Sequence, residues 1–179
     1  LRLLLDDALI DLIEERVDIA LRAGKLPDSS LVARKLGSMA AQMCAAPAYL
    51  AERGWPQQPQ DLAAHDWLGG RPSTGGDDTL LLHNAAGDEV AVQVHSRVHA
   101  SQVTALHALC VAGWGISVVV SDDDRRALVD GRLLPVLPGW QLPVMPIYAI
   151  TPRRGEQPAK VRHTLDLLAT YFTTSQTAS

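Results

Sequence analysis

The stretch SQVTALHALCVAGWGISVVV, residues 101–120, changes its hydrophobic period half-way, and that change sets the fold class. In the first half, Val103, Leu106, Leu109 and Cys110 share one helical face, and Ser101 is a residue type that caps a helix at its start. Gly113 suits the helix end, where the chain turns through the left-handed region. Ile116 to Val120 then runs β-branched and almost wholly apolar, as a strand covered on both faces does. Helix followed by buried strand is the repeating phrase of an α/β protein.

The phrase recurs on either side. Leu1 to Leu5 reads as a short strand, Asp7 as the cap of a helix from Ala8 to Arg16 with Ile10 and Ile13 inward, and Val17 to Leu21 as the next strand. Strand, helix and strand in that order predict a parallel sheet. Gly24 to Ser30 is a loop, and residues 31–36 and 38–45 are extended. Pro47 fits the first turn of a helix to Arg53, with Gly54 ending it. Trp55 to Gln60 connects to a short helical turn capped by Asp61. Arg71 to Asp78 reads as loop, and residues 79–82 and 90–94 as a hairpin about Ala85 to Asp88.

Downstream of the opening stretch, residues 121–129 predict a helix ending near Gly131, whose three leading aspartates suit the positive end of its dipole. Residues 133–137 are extended, Pro138 to Trp140 turn, and Ile147 to Thr151 form a strand. Val161, Leu165, Leu168 and Phe172 recur at helical spacing in a last helix over 158–172.

Composition narrows the function. Of 179 residues, 47% are hydrophobic and 20% charged, so the chain buries a core of its own without disulfide or metal. The net charge of −4 argues against a phosphate-binding surface, which needs cations to displace counterions from DNA. Cys44 and Cys110 both lie in apolar segments, which predicts buried reduced thiols. No apolar run reaches the ~18 residues of a membrane span.

Several segments are more specific than their periodicity. DLIEERVDIALR (11–22), GKLPDSSL (24–31), ARKLG (33–37), CAAPAYL (44–50), DLAAHD (61–66), GWGI (113–116) and GRLLPVL (131–137) resemble, in order, the effector domain of LysR-type transcriptional regulators. That resemblance implies a two-lobed α/β fold like the type 2 periplasmic binding proteins, each lobe a mixed sheet flanked by helices. Residues 1–40 with 147–179 would form lobe one and 41–146 lobe two, with crossings near Met39 to Ala45 and Pro146 to Ala149. It also implies that a winged helix-turn-helix and the first strand-helix unit of lobe one precede this material. The function implied is effector sensing: a small, anionic molecule in the inter-lobe cleft alters how a dimer or tetramer grips DNA. DNA contact would lie upstream, the setting would be cytoplasmic, and no membrane, cofactor, metal or catalytic residue is expected.

The candidate effector residues are Asp6, Arg22, Gly70, Arg71, Ser101, Gln102 and Val103. Ser101 and the amides of Gln102 and Val103 open a helix, whose unpaired N–H groups suit a carboxylate or phosphate; equally, Ser101 caps its own helix. Asp6 and Arg22 stand at strand ends, where parallel sheets bind ligands. Arg22 suits a carboxylate, or an ion pair with Asp18 or Asp28. Gly70 and Arg71 belong to the loop GGRP, where an arginine is also commonly just solvated. His95 and His99 lie four apart on a strand, too distant to share a metal. His107 and Cys110 lack further ligands at matching spacing, so packing explains them better. Two rivals remain: a solute-binding protein of a transport system with the same fold, which a secretory leader would mark, and an enzyme, which turnover would.

Overall fold

The computed structural model describes residues 2–4, 12, 14–24, 26, 31–69, 77–119, 122–152 and 157–177. Among them the strands are β1 (Ala20–Ala23), β2 (Val32–Met39), β3 (Gln42–Ala45), β4 (Trp67–Gly69), β5 (Asp77–Asn84), β6 (Glu89–His99), β7 (Ile116–Val119), β8 (Leu134–Pro135), β9 (Trp140–Gln141) and β10 (Met145–Thr151). The α-helices are α1 (Pro47–Arg53), α2 (Val103–Val111), α3 (Asp122–Val129) and α4 (Ala159–Thr177), with a 3-10 helix at Pro59–Ala64. Two compact units result: Leu1–Ala8 with Ala41–Pro143, and Leu9–Ala40 with Val144–Ser179.

The larger unit is a seven-stranded sheet in the order β8-β3-β7-β4-β6-β5-β9, with β4 parallel to both β6 and β7 and its other pairs antiparallel. Side chains alternate across a strand, so consecutive apolar residues feed two cores. Met43, Trp67 and Ile116 pack on one face with Tyr49 and Leu50 of α1 and Leu62 of the 3-10 helix. Cys44, Leu68 and Val119 pack on the other with Leu106 and Cys110 of α2 and Ala127 of α3. The near-continuous apolar reading of residues 116–119 follows from this double cover. Neither cysteine forms a disulfide, both are fully buried, and the Cys110 thiol donates to the Cys44 carbonyl at 3.4 Å.

The smaller unit is a three-stranded sheet, β1-β10-β2, antiparallel in both pairs. Leu36 and Ala149 meet Val161 and Leu165 of α4 on one face, and Arg34 of β2 pairs with Asp166 of α4 at 3.0 Å. Where the chain leaves and re-enters this unit its strands are neighbours, with Met39 opposite Met145 and Ser38 opposite Pro146.

Several expectations need correction. Residues 2–4 lie outside any strand, so the sheet has no parallel partner there; residues 5–11 of the expected strand and helix lie outside the described residues. Leu12 and residues 14–16 form a turn. The strand foreseen over Val17 to Leu21 begins only at Ala20, because the Val17 N–H returns to the Leu12 carbonyl and Arg16 takes φ 52°. That bond from a residue to the fifth before it keeps the chain turning and delays the extended segment. Ser101 does not cap α2: the cap position is Gln102, with no side-chain hydrogen bond. Asp61 is third in its helix, not the cap; its carboxylate reaches back to the Gln57 and Gln58 amides at 2.8 and 3.1 Å. Asp77 and Asp78, read as loop, begin β5, and the last helix extends past Phe172 to Thr177.

Helix ends follow the sequence closely. At Gly113, φ 82°, the Trp114 N–H bonds to the Leu109 carbonyl and the Gly113 N–H to that of Cys110. Gly131, φ 70°, repeats the pattern with Arg132 to Ala127 and Gly131 to Leu128. Both are the paired bonds that satisfy a helix's last carbonyls.

Candidate functional site

Three strands of the larger unit point their carboxyl ends the same way: β4, β6 and β7. Gly69 closes β4 opposite His99 at the end of β6, and the Ala100 amide donates to the Gly69 carbonyl at 3.2 Å. Gln42 lies opposite Val119, so β3 starts at this edge too. From Ala100 the chain passes through exposed Ser101 and Gln102 into α2. Gln102 is extended, φ −107° and ψ 124°, and its carbonyl accepts the Ala105 and Leu106 amides. The edge therefore combines carboxyl strand ends with the start of a helix, the two features that suit an anion.

Gly69 has a reason to be glycine. A Cβ there would collide with the Ser96 hydroxyl and come within 3.1 Å of an Asp78 carboxylate oxygen. Ser96 itself donates to Asp78 at 3.2 Å. Gly70 and Arg71 follow directly in the chain but lie outside the described residues, as does Asp6. Of the sequence-derived candidates, Ser101, Gln102 and Val103 are consecutive at this edge.

Arg22 belongs to the smaller unit, on β1 opposite Tyr148 of β10. Asp18, one of its two expected partners, is taken by Lys160 at 2.7 Å. Asp28 lies outside the described residues.

One polar cluster had no signal in the sequence. The Tyr49 hydroxyl of α1 shares a hydrogen bond with His65 Nδ1 at 3.1 Å and accepts the Asp66 amide at 2.8 Å. Arg53 and Arg97 flank the Asp66 carboxylate at 3.7 and 3.6 Å. Burial, followed by the nearby Arg53 charge, holds His65 below the ordinary histidine value, and burial raises the Tyr49 phenol. Asp66 precedes β4, so the cluster stands at the amino end of that strand, away from Gly69. Nothing in residue spacing pairs position 49 with positions 65 and 66; only packing of α1 against the sheet does. Among the described residues, no three His, Cys, Asp or Glu side chains group as metal ligands.

The LysR substrate binding domain model matches residues 1–173. This chain belongs to the LysR substrate-binding family. It is similar to the HTH-type transcriptional regulator PtxR of Pseudomonas aeruginosa, 36% identical over 93% of this chain and 53% of that protein. The HTH-type transcriptional activator AaeR of Escherichia coli is 33% identical over 90% of the chain and 52% of its own length. The LysR-family chain thus spans about half the length of these curated relatives. Among solved structures, full-length AphB, a virulence activator of Vibrio cholerae, superposes with a TM-score of 0.76 at 30% identity, covering 96% of this chain and 57% of that one. The regulatory domain of CrgA from Neisseria meningitidis gives 0.74 at 32% identity, covering 89% and 78%. The architecture is that of LysR regulatory domains, an α/β fold of the periplasmic-binding-protein type. These relatives are transcriptional regulators, not enzymes. No helix among the described residues is long and apolar enough to cross a membrane.

Proposed function

We propose that this LysR-family chain is the effector-sensing part of a DNA-binding transcription regulator, taking a small anionic molecule in the cleft between its lobes. Residues 1–40 with 147–179 are lobe one and 41–146 lobe two. The observation that carries the reading is the edge where β4 and β6 end and α2 begins, in a chain matched by its family from residue 1 to 173. Ser101 and the Gln102 and Val103 amides hold the anionic group there, and Asp6, Arg22, Gly70 and Arg71 complete the proposed effector set. The effector acts only through its differential affinity for two arrangements of the regulator. That difference changes a dimer's or tetramer's grip on DNA, with α2 at the subunit contact. The chain's net charge of −4 supports placing the DNA grip in another part of the regulator, in the cytoplasm.

A thermal-shift screen against aromatic acids, amino acids and sugar acids tests the reading, with stabilisation by one class expected. A calorimetric titration of that compound with Ser101→Ala follows. Unchanged affinity removes Ser101 from the site, and a flat response to every class defeats the proposal.

A further inference from the structure

On the smaller unit's sheet, Arg22 of β1 lies opposite Tyr148 of β10, and Tyr148 lies opposite Lys35 of β2. Directly opposed residues of antiparallel strands project from the same face, so the three side chains stand abreast. Leu36 and Ala149, next to them in sequence, turn to the face covered by α4, which sets the row on the other face. The end strands of a three-stranded sheet are about 10 Å apart, so two long cationic side chains can lean together over the ring between them. Arg22 and Tyr148 are each half-buried. Neither makes a side-chain hydrogen bond or ion pair among the described residues, and nor does Lys35. By contrast Arg34, on the opposite face, is paired with Asp166. A guanidinium's fixed fork matches the two oxygens of a carboxylate, a phenol adds one donor, and an ammonium adds a mobile charge.

We propose that Arg22, Tyr148 and Lys35 form a carboxylate-binding row on the sheet of the smaller unit. The assignment rests on the effector-sensing reading and adds to it two residues, Lys35 and Tyr148, and a ligand class, the organic carboxylates. It is tested on the full chain carrying ring-labelled tyrosine, with the Tyr148 signals identified through Tyr148→Phe, by titrating sodium benzoate, sodium succinate and inorganic phosphate at constant ionic strength. A saturable shift of the Tyr148 ring with benzoate or succinate is expected, with Tyr49 unmoved. Arg22→Gln and Lys35→Gln should each weaken that binding about tenfold, the loss of one charge-assisted hydrogen bond. Arg34→Gln removes the same charge from the other face and should leave the affinity unchanged. No saturable shift, equal weakening by Arg34→Gln, or phosphate binding as tightly as either carboxylate overturns the row. A probe that raises the melting temperature without moving Tyr148 overturns the row while leaving the effector reading standing.

Discussion

The Tyr49 hydroxyl accepts the backbone N–H of Asp66 at 2.8 Å, tying α1 to the residue before β4. The same hydroxyl is hydrogen-bonded to His65 Nδ1 at 3.1 Å, so the phenol joins three residues at one junction. Removing it strands a part-buried amide. Tyr49→Phe should therefore lower stability by about 1–2 kcal/mol. Urea unfolding should show a reduced midpoint at unchanged slope, and an unshifted midpoint would mean that water replaces the phenol.

His65 gives the cluster a pH dependence. Burial holds its folded-state value below the ordinary 6.5, so the unfolded chain binds the proton more readily. The neutral ring's contribution is complete above that ordinary value and is lost as pH falls through the lowered one. Urea midpoints at about pH 7.5 and about pH 5.5 should differ less in His65→Gln than in the parent chain. Equal differences would place the acid sensitivity elsewhere.

Gly115 lies where β7 begins to run beside β4. A Cβ there would come within 2.5 Å of the Asp66 carbonyl oxygen, which accepts the Ile116 amide at 2.9 Å. Backbone atoms on both sides have little room to yield. Gly115→Ala should cost about 1–3 kcal/mol, as overpacking does, visible as a lower melting temperature. A melting temperature equal to the parent's would show that the junction relaxes.

At the start of α2, Gln102 occupies the cap position without a side-chain bond to the helix. Gln102→Asp should stabilise the chain by about 1 kcal/mol, since a short carboxylate at the cap position accepts from the first turn, which the glutamine side chain does not do. Ser101→Ala should leave stability within about 0.5 kcal/mol of the parent, as an exposed substitution away from a cap does. Thermal unfolding of the two variants separates a cap at 102 from one at 101.

Arg16 is one of two described non-glycine residues with positive φ, at 52°. Its backbone sits where a side chain is disfavoured by about 1 kcal/mol. Arg16→Gly should raise the melting temperature by a few degrees. A fall would mean that the arginine side chain contributes more than its backbone costs.

The local punctuation of this fold was legible because it depends on single residues. Pro47, Gly54, Gly113 and Gly131 mark helix ends in the sequence, and each does so in the structure. Val161 and Leu165 identified the buried face of α4 by spacing alone. Less legible were features where neighbours compete. Ser101 and Gln102 are adjacent, and propensity favours the serine, but Ala100 is held by the Gly69 carbonyl at the end of β6 and the helix begins one residue later. Asp61 has the chemistry of a cap but stands inside the first turn, because a carboxylate there satisfies the same amides.

The chain's own residues determined the α/β class, the doubly covered strand at residues 116–119 and the membership of the LysR family, because periodicity and punctuation act within a few residues. Only tertiary structure decided which distant side chains stand together: Tyr49 with His65 and Asp66, and Arg22 with Tyr148 and Lys35. Packing of α1 against the sheet brings the first group together and strand register the second, and both are set by the fit of whole elements, which no local spacing encodes.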